Sequence, residues 1–195
     1  MRFAFKCKHS YKIIAGVAGS GKTKICMTYG IYFLGKQVCD KFFVVRHNVG
    51  VGEKNGYLPG SKFDKIRSWL GFFEDNLDSV QYTVEEMVSR GYLDVDAVEY
   101  MKGRDIKNSW MMIDEAEDLT EDEFKMLGER ASAGSFMCFV GDYDQTTQEK
   151  YKKNSGLKRA INNLAGNPLV GIMVFDDKEN DNVRSEVSKV FSYIY

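Results

Sequence analysis

Gly16 to Thr23 (GVAGSGKT) place three glycines, a lysine and a hydroxyl residue within eight positions, a set suited to gripping an anion. Backbone N–H groups close around a phosphate only where side chains leave room, and Cβ atoms at Gly16, Gly19 and Gly21 would tend to obstruct it. Lys22 brings a point charge to the β- and γ-phosphates of a nucleoside triphosphate, and Thr23 offers a hydroxyl to Mg²⁺. A helix starting at Lys24 would aim its positive dipole end at the same phosphates. The nucleotide-binding set is therefore Gly16, Val17, Ala18, Gly19, Ser20, Gly21, Lys22, Thr23 and Lys24.

A second constellation follows the apolar run Trp110–Ile113 (WMMI), which feeds directly into Asp114 and Glu115. In a nucleotide hydrolase, Asp114 holds Mg²⁺, largely through water, and Glu115 accepts a proton from the attacking water. Adjacent acids also occur at helix starts, and the following DLTEDE can cap a helix by itself, through Thr120 or Asp118. Ser135–Val140 (SFMCFV) leads into GDYDQ, where Gln145 would orient the attacking water and sense the γ-phosphate; a plain Gly/Asp turn is the bland alternative. Arg46, after FFVV, is either a phosphate ligand, of nucleotide or nucleic acid, or a surface arginine. Arg184 (DNVRSEV) is the candidate to stabilise charge on the transferring phosphoryl group, with Arg104 (MKGRDI) as its competitor and a surface ion pair as the alternative for both.

These residues need a frame that brings them together. Tyr11–Ala15, Phe42–Arg46, Trp110–Ile113, Ser135–Val140 and Gly171–Phe175 read as short buried strands, with Leu93–Val98 a further one. Phe42–Arg46 is continuous rather than alternating in its apolar character, which suits a parallel sheet covered on both faces. Helical stretches are expected at Lys24–Leu34, Lys62–Leu77, Thr83–Arg90, Glu121–Ala131, Ser155–Leu164 and Asn182–Tyr193, with a Gly-rich loop at Asn48–Gly60. Strands alternating with helices give an α/β three-layer sandwich with a mostly parallel sheet and right-handed crossovers. Ligands of such sheets collect beyond the carboxyl ends of the strands, where the polar residues above fall.

The 195 residues suffice for one domain, taken as 1–195, with a core that needs no metal or disulfide. A net charge of −1 advertises no nucleic acid globally, although a local basic groove is compatible with it. The cysteines Cys7, Cys26, Cys39 and Cys138 are scattered, and with only two histidines they suggest reduced, buried thiols rather than a zinc site. No apolar run approaches a membrane span and the first residues do not resemble a secretory signal, so a cytoplasmic location is expected.

Taken in order, GVAGSGKT, VRHNVGVGEKNGYLPGSKFDKI, VEYMKGRDI…IDEAEDLT…FKML…GDYDQ, NSGLKRAI and DNVRSEVSKVF resemble the PhoH-like (phosphate-starvation-inducible) P-loop ATPases over nearly the whole chain. GEKNGYLPG, YMKGR and the run from IDEAEDLT to FKML carry most of the resemblance, since a generic P-loop protein has no need of them. The resemblance implies a P-loop NTPase fold similar to the motor core of superfamily-one helicases, ATP as substrate and Mg²⁺ as cofactor. It puts Lys22, Thr23, Asp114, Glu115, Gln145 and Arg184 on the family's motif positions. The chain departs from the family pattern at His47, where a proline usually follows the arginine, and at DEAED, where DEAQN is usual. The family's adenine-reading glutamine ahead of the first strand has no counterpart here, and an NKxD motif for guanine is absent.

The resemblance implies ATP hydrolysis coupled to remodelling of RNA or single-stranded DNA; with one motor-like core read in the sequence, translocation would need assembly into a homo-oligomeric ring or a partner domain. Candidate polymer contacts are Arg46, Lys54, Lys62, Lys65, Trp69, Lys150, Lys152 and Lys153, while Trp69, Phe72 and Phe73 recur at the spacing of a helix's core face. An ATP-gated oligomerisation or interaction module fits the same residues. A small-molecule kinase fits less well, since it needs an arginine-rich lid and no GDxxQ sensor.

Overall fold

A computed structural model describes residues 10–47, 73–74, 82–142 and 155–175. Gln145, Arg184, the loop 48–60, the lysines at 54, 62, 65, 150, 152 and 153, Trp69, Phe72 and the closing helix expected at 182–193 lie outside the described residues, as does nearly all of the stretch 62–77. Among the described residues six strands, β1 (Tyr11–Gly16), β2 (Lys41–Arg46), β3 (Leu93–Ala97), β4 (Ser109–Ile113), β5 (Phe136–Gly141) and β6 (Val170–Phe175), form one sheet in the order β3-β2-β4-β5-β1-β6. Every pairing is parallel. Among the described residues four helices, α1 (Lys22–Gly35), α2 (Val84–Ser89), α3 (Glu121–Gly128) and α4 (Gly156–Leu164), cover its two faces.

Successive strand residues point to opposite faces, and both faces are apolar. Ile14, Phe42, Val44, Trp110, Met112, Cys138 and Val140 pack with Cys26, Met27 and Phe33 of α1 and with Met87 of α2. Ile13, Phe43, Val45, Met111, Ile113, Met137 and Phe139 pack with Phe124 and Leu127 of α3 and Leu157 and Ala160 of α4. The result is the three-layer α/β sandwich expected of a P-loop NTPase. Phe73 is buried and meets Phe42 edge to face, 5.7 Å between centroids, so it serves the core. Lys12 is buried in β1 with its ammonium 4.6 Å from the Phe136 ring centre and 5.2 Å from that of Trp110, a cation–π setting for a charge far from water.

Helix α1 lies unusually close to the sheet at Gly30. A Cβ there would stand 2.1 Å from the Phe42 ring and 2.5 Å from the Trp110 ring, so no larger residue fits without displacing buried aromatics. The expected helix Glu121–Ala131 stops at Gly128, because Ile106 bonds to the chain on both sides of Ala131 (Ile106 N to Arg130 O, 3.2 Å; Ser132 N to Ile106 O, 3.0 Å) and pulls it into an isolated bridge.

Register aligns the strand ends. Val45, Ile113 and Phe139 stand side by side, as do Ala15 and Gly141. The next residues, Arg46, Asp114, Asp142 and Gly16, therefore emerge along one rim.

Candidate functional site

The turn between β1 and α1 is held by its own backbone. Ser20 donates its hydroxyl to Val17 O (2.8 Å), and Val17 N–H donates to Phe175 O (2.8 Å). Gly16 has φ +138°, and a Cβ on it would lie 2.0 Å from Phe175 O. Its missing side chain thus makes room for strand β6, a reason beyond the phosphate clearance inferred from sequence. Gly21, at φ 77°, turns the chain into α1, which begins at Lys22, two residues before the expected start.

The helix starts differ in a way that marks one of them. Thr83 caps α2 and Thr120 caps α3, each in a capping box with the glutamate three residues on (Glu86 and Glu123), and Ser155 caps α4. Helix α1 has no side-chain cap and no acid in its first turn, which carries Lys22 and Lys24 instead. The positive dipole end of a helix so started favours an anion. Lys22 Nζ reaches back over the loop to the carbonyls of Gly16 (2.7 Å) and Val17 (2.8 Å), while the Lys24 side chain is exposed.

Because Thr120 caps α3, the acids after β4 are free of that duty. Asp114 is buried at the strand end, and its backbone N–H donates to Val45 O (3.0 Å). Its Oδ1 accepts from Thr23 Oγ1 at 3.4 Å, joining the front of α1 to the end of β4. Burial pushes its carboxyl above the usual carboxylate range, against the opposing pull of Arg46, with Glu115 adding to the rise. Glu115 follows in the left-handed region (φ 53°, ψ 46°) and is half-exposed at the rim. That conformation is strained for a residue with a side chain.

Arg46 is engaged by the two acids at the rim. Its Nε lies 3.3 Å from Asp114 Oδ2 and its terminal nitrogen donates to Glu115 Oε1, so it bridges the two acids. His47, where the family pattern has proline, stands between Glu99 (Nδ1 to Oε1, 3.4 Å) and Glu123 (Nε2 to Oε2, 3.5 Å). Arg104 is held as an ion pair by Asp96 and, at 3.8 Å, Asp94, with its guanidinium 4.8 Å from the Phe43 ring centre. This is the structural alternative weighed against a phosphoryl role for it.

Glu117 was legible only as a departure from the family pattern. Its Oε2 accepts from Asp142 N–H (3.1 Å), and a Cβ on Gly141 would stand 2.4 Å from the same oxygen. Burial pushes its carboxyl up to about 7. Its contact with β5 comes from chain 25 residues away, which no local pattern announces.

A hydroxyl, a carboxylate and an uncapped helix front suit a hard divalent cation shared with a polyphosphate. Among the described residues no group of three His, Cys, Asp or Glu side chains could hold a metal alone. A site of the Mg²⁺ type takes one or two protein oxygens and relies on phosphates and water for the rest. Cys26, Cys39 and Cys138 are free and buried, and burial raises the thiols of Cys26 and Cys39. Among the described residues no helix is long and apolar enough to cross a membrane.

The family described as "PhoH-like protein" matches residues 3–195. The chain is 34% identical over 155 residues to a PhoH-like protein of Synechocystis, covering 78% of this chain and 47% of that one. It is 32% identical over 168 residues to protein PhoH2 of Bacillus subtilis (81% and 38% covered), and 32% identical over 171 residues to a PhoH-like protein of the same organism (87% and 53%). The chain thus spans about half the length of the curated relatives it matches, or less.

Proposed function

The chain belongs to the PhoH-like family, and from that premise we propose that it binds ATP with Mg²⁺ on the rim of β1, β2, β4 and β5 and hydrolyses the bond to the γ-phosphate. The observation that carries this reading is the approach of Thr23 to Asp114 beside a helix front with no cap of its own. Residues Gly16–Lys24 wrap the phosphates, with Lys22 turning from the loop carbonyls to the β- and γ-phosphates. Thr23 and Asp114 hold Mg²⁺, which supplies charge neutralisation at the phosphates when bound. Glu115 accepts the proton of the attacking water. Gln145 orients that water, and Arg184 stabilises the transferring phosphoryl group, in its own site or a neighbour's.

Coupling of hydrolysis to RNA or single-stranded DNA, by several copies assembled as a ring, is the biological form of this proposal. Its support is the family resemblance. An ATP-gated interaction module remains the rival, because it uses the same nucleotide residues.

Phosphate release, measured with and without RNA or single-stranded DNA, tests both parts. Turnover of ATP that disappears in Lys22→Ala and rises with polymer is expected. Absence of turnover in the unmodified protein sinks the hydrolase, and turnover indifferent to either polymer, with a change of mass on adding ATP, favours the interaction module.

A further inference from the structure

Arg46 is the last residue of β2 and pairs in register with Ala97 of β3, so its backbone is fixed and only its side chain can relocate. The guanidinium is mostly buried and divides its donors between Asp114 Oδ2 and Glu115 Oε1. Asp114's other oxygen faces Thr23 Oγ1 at 3.4 Å. Both oxygens of that carboxylate are thereby engaged, one by the head of α1 and one by a permanent cation. A planar fork can serve two acids at once, which the point charge of a lysine cannot do as well.

We propose that Arg46 is a positioning residue whose guanidinium takes the place of a divalent cation in the nucleotide-free protein, holding Asp114 and Glu115 together until it gives up Asp114 Oδ2 to Mg²⁺. The proposal rests on the assignment of Thr23 and Asp114 as metal ligands. Two positive charges cannot share one carboxylate oxygen at this depth without strong repulsion, since water screens poorly there. The same guanidinium also occupies an oxygen of Glu115, the proposed proton acceptor, whose backbone is left-handed. Release of Asp114 Oδ2 by Arg46 therefore frees the metal ligand, leaving the guanidinium beside Glu115.

The test uses Mn²⁺ alone, titrated against the full chain without nucleotide and followed by electron paramagnetic resonance of the free ion. Arg46→Gln should bind Mn²⁺ about tenfold more tightly than the unmodified protein, because a competing charge is gone. Arg46→Lys, which keeps the charge but not the fork, should bind Mn²⁺ with an affinity between the two. Unchanged or weaker Mn²⁺ binding in folded Arg46→Gln overturns the proposal. Adding Asp114→Asn should erase the gain. If the double variant binds as tightly as Arg46→Gln, Asp114 is no ligand and the metal-site reading fails instead. In the unmodified protein the Nε–H resonance of Arg46 should shift as Mg²⁺ alone saturates, and a resonance indifferent to saturating Mg²⁺ overturns the proposal even if Arg46→Gln does not fold.

Discussion

Thr23 Oγ1 and Asp114 Oδ1 lie 3.4 Å apart although 91 residues separate them along the chain. Had the lysine-bearing loop and the paired acids been on opposite sides of the sheet, no single triphosphate could have met both. The strand order explains their approach: β1 and β4 both neighbour β5, so their carboxyl ends lie on one rim with one strand between them.

Glu115→Gln should leave ATP affinity nearly unchanged and slow hydrolysis by roughly 10²–10⁴-fold, the range for losing a positioned general base. Equilibrium binding of a fluorescent ATP analogue and single-turnover phosphate release measure the two separately. Loss of binding equal to the loss of turnover would assign Glu115 to building the rim instead.

Glu117→Gln should stabilise the protein at pH 8 and make little difference near pH 4. The native carboxyl is pushed up to about 7 by burial, whereas an unfolded chain ionises near the ordinary glutamate value. Between those values the folded state holds the extra proton, so stability falls as pH rises through the window and the deficit persists above it. Glutamine keeps an acceptor for Asp142 N–H without the charge. A gain of about 1–2 kcal/mol at pH 8 is expected, read from urea midpoints across the pH range. A gain independent of pH would contradict this account.

Gly16→Ala should cost about 2–5 kcal/mol, combining a backbone conformation foreign to alanine with a clash at Phe175 O. Chemical denaturation checks the magnitude. A loss below 1 kcal/mol would mean that β6 yields easily.

Much of this frame is legible in the sequence. WMMI, FFVVR and GIMVF read as strands because a parallel sheet buried on both faces leaves continuous apolar runs, and the structure ends them within a residue of the expected bounds. The order of the strands is not legible, since nothing local says that β1 slots between β5 and β6. For the same reason the fate of Arg46 escapes a linear reading: its partners sit on the adjoining strand, 69 residues on in the case of Glu115. The choice between Thr120 and Asp118 as cap was open because both types can serve, and the reciprocal bond with Glu123 decides it. Gln145 and Arg184 lie outside the described residues, so their roles stand on the motif alone.

The tight seat of Gly30 against Phe42 and Trp110 has a consequence about 12 Å away, at the front of the same helix. Sliding α1 by one residue would drive Tyr29 or Ile31 into those rings, so the helix is keyed lengthwise like a bolt in its notch. Lys22 and Thr23 therefore keep their setback from the strand tips by virtue of an atom missing two turns behind them, and filling that notch would misalign the front without touching it.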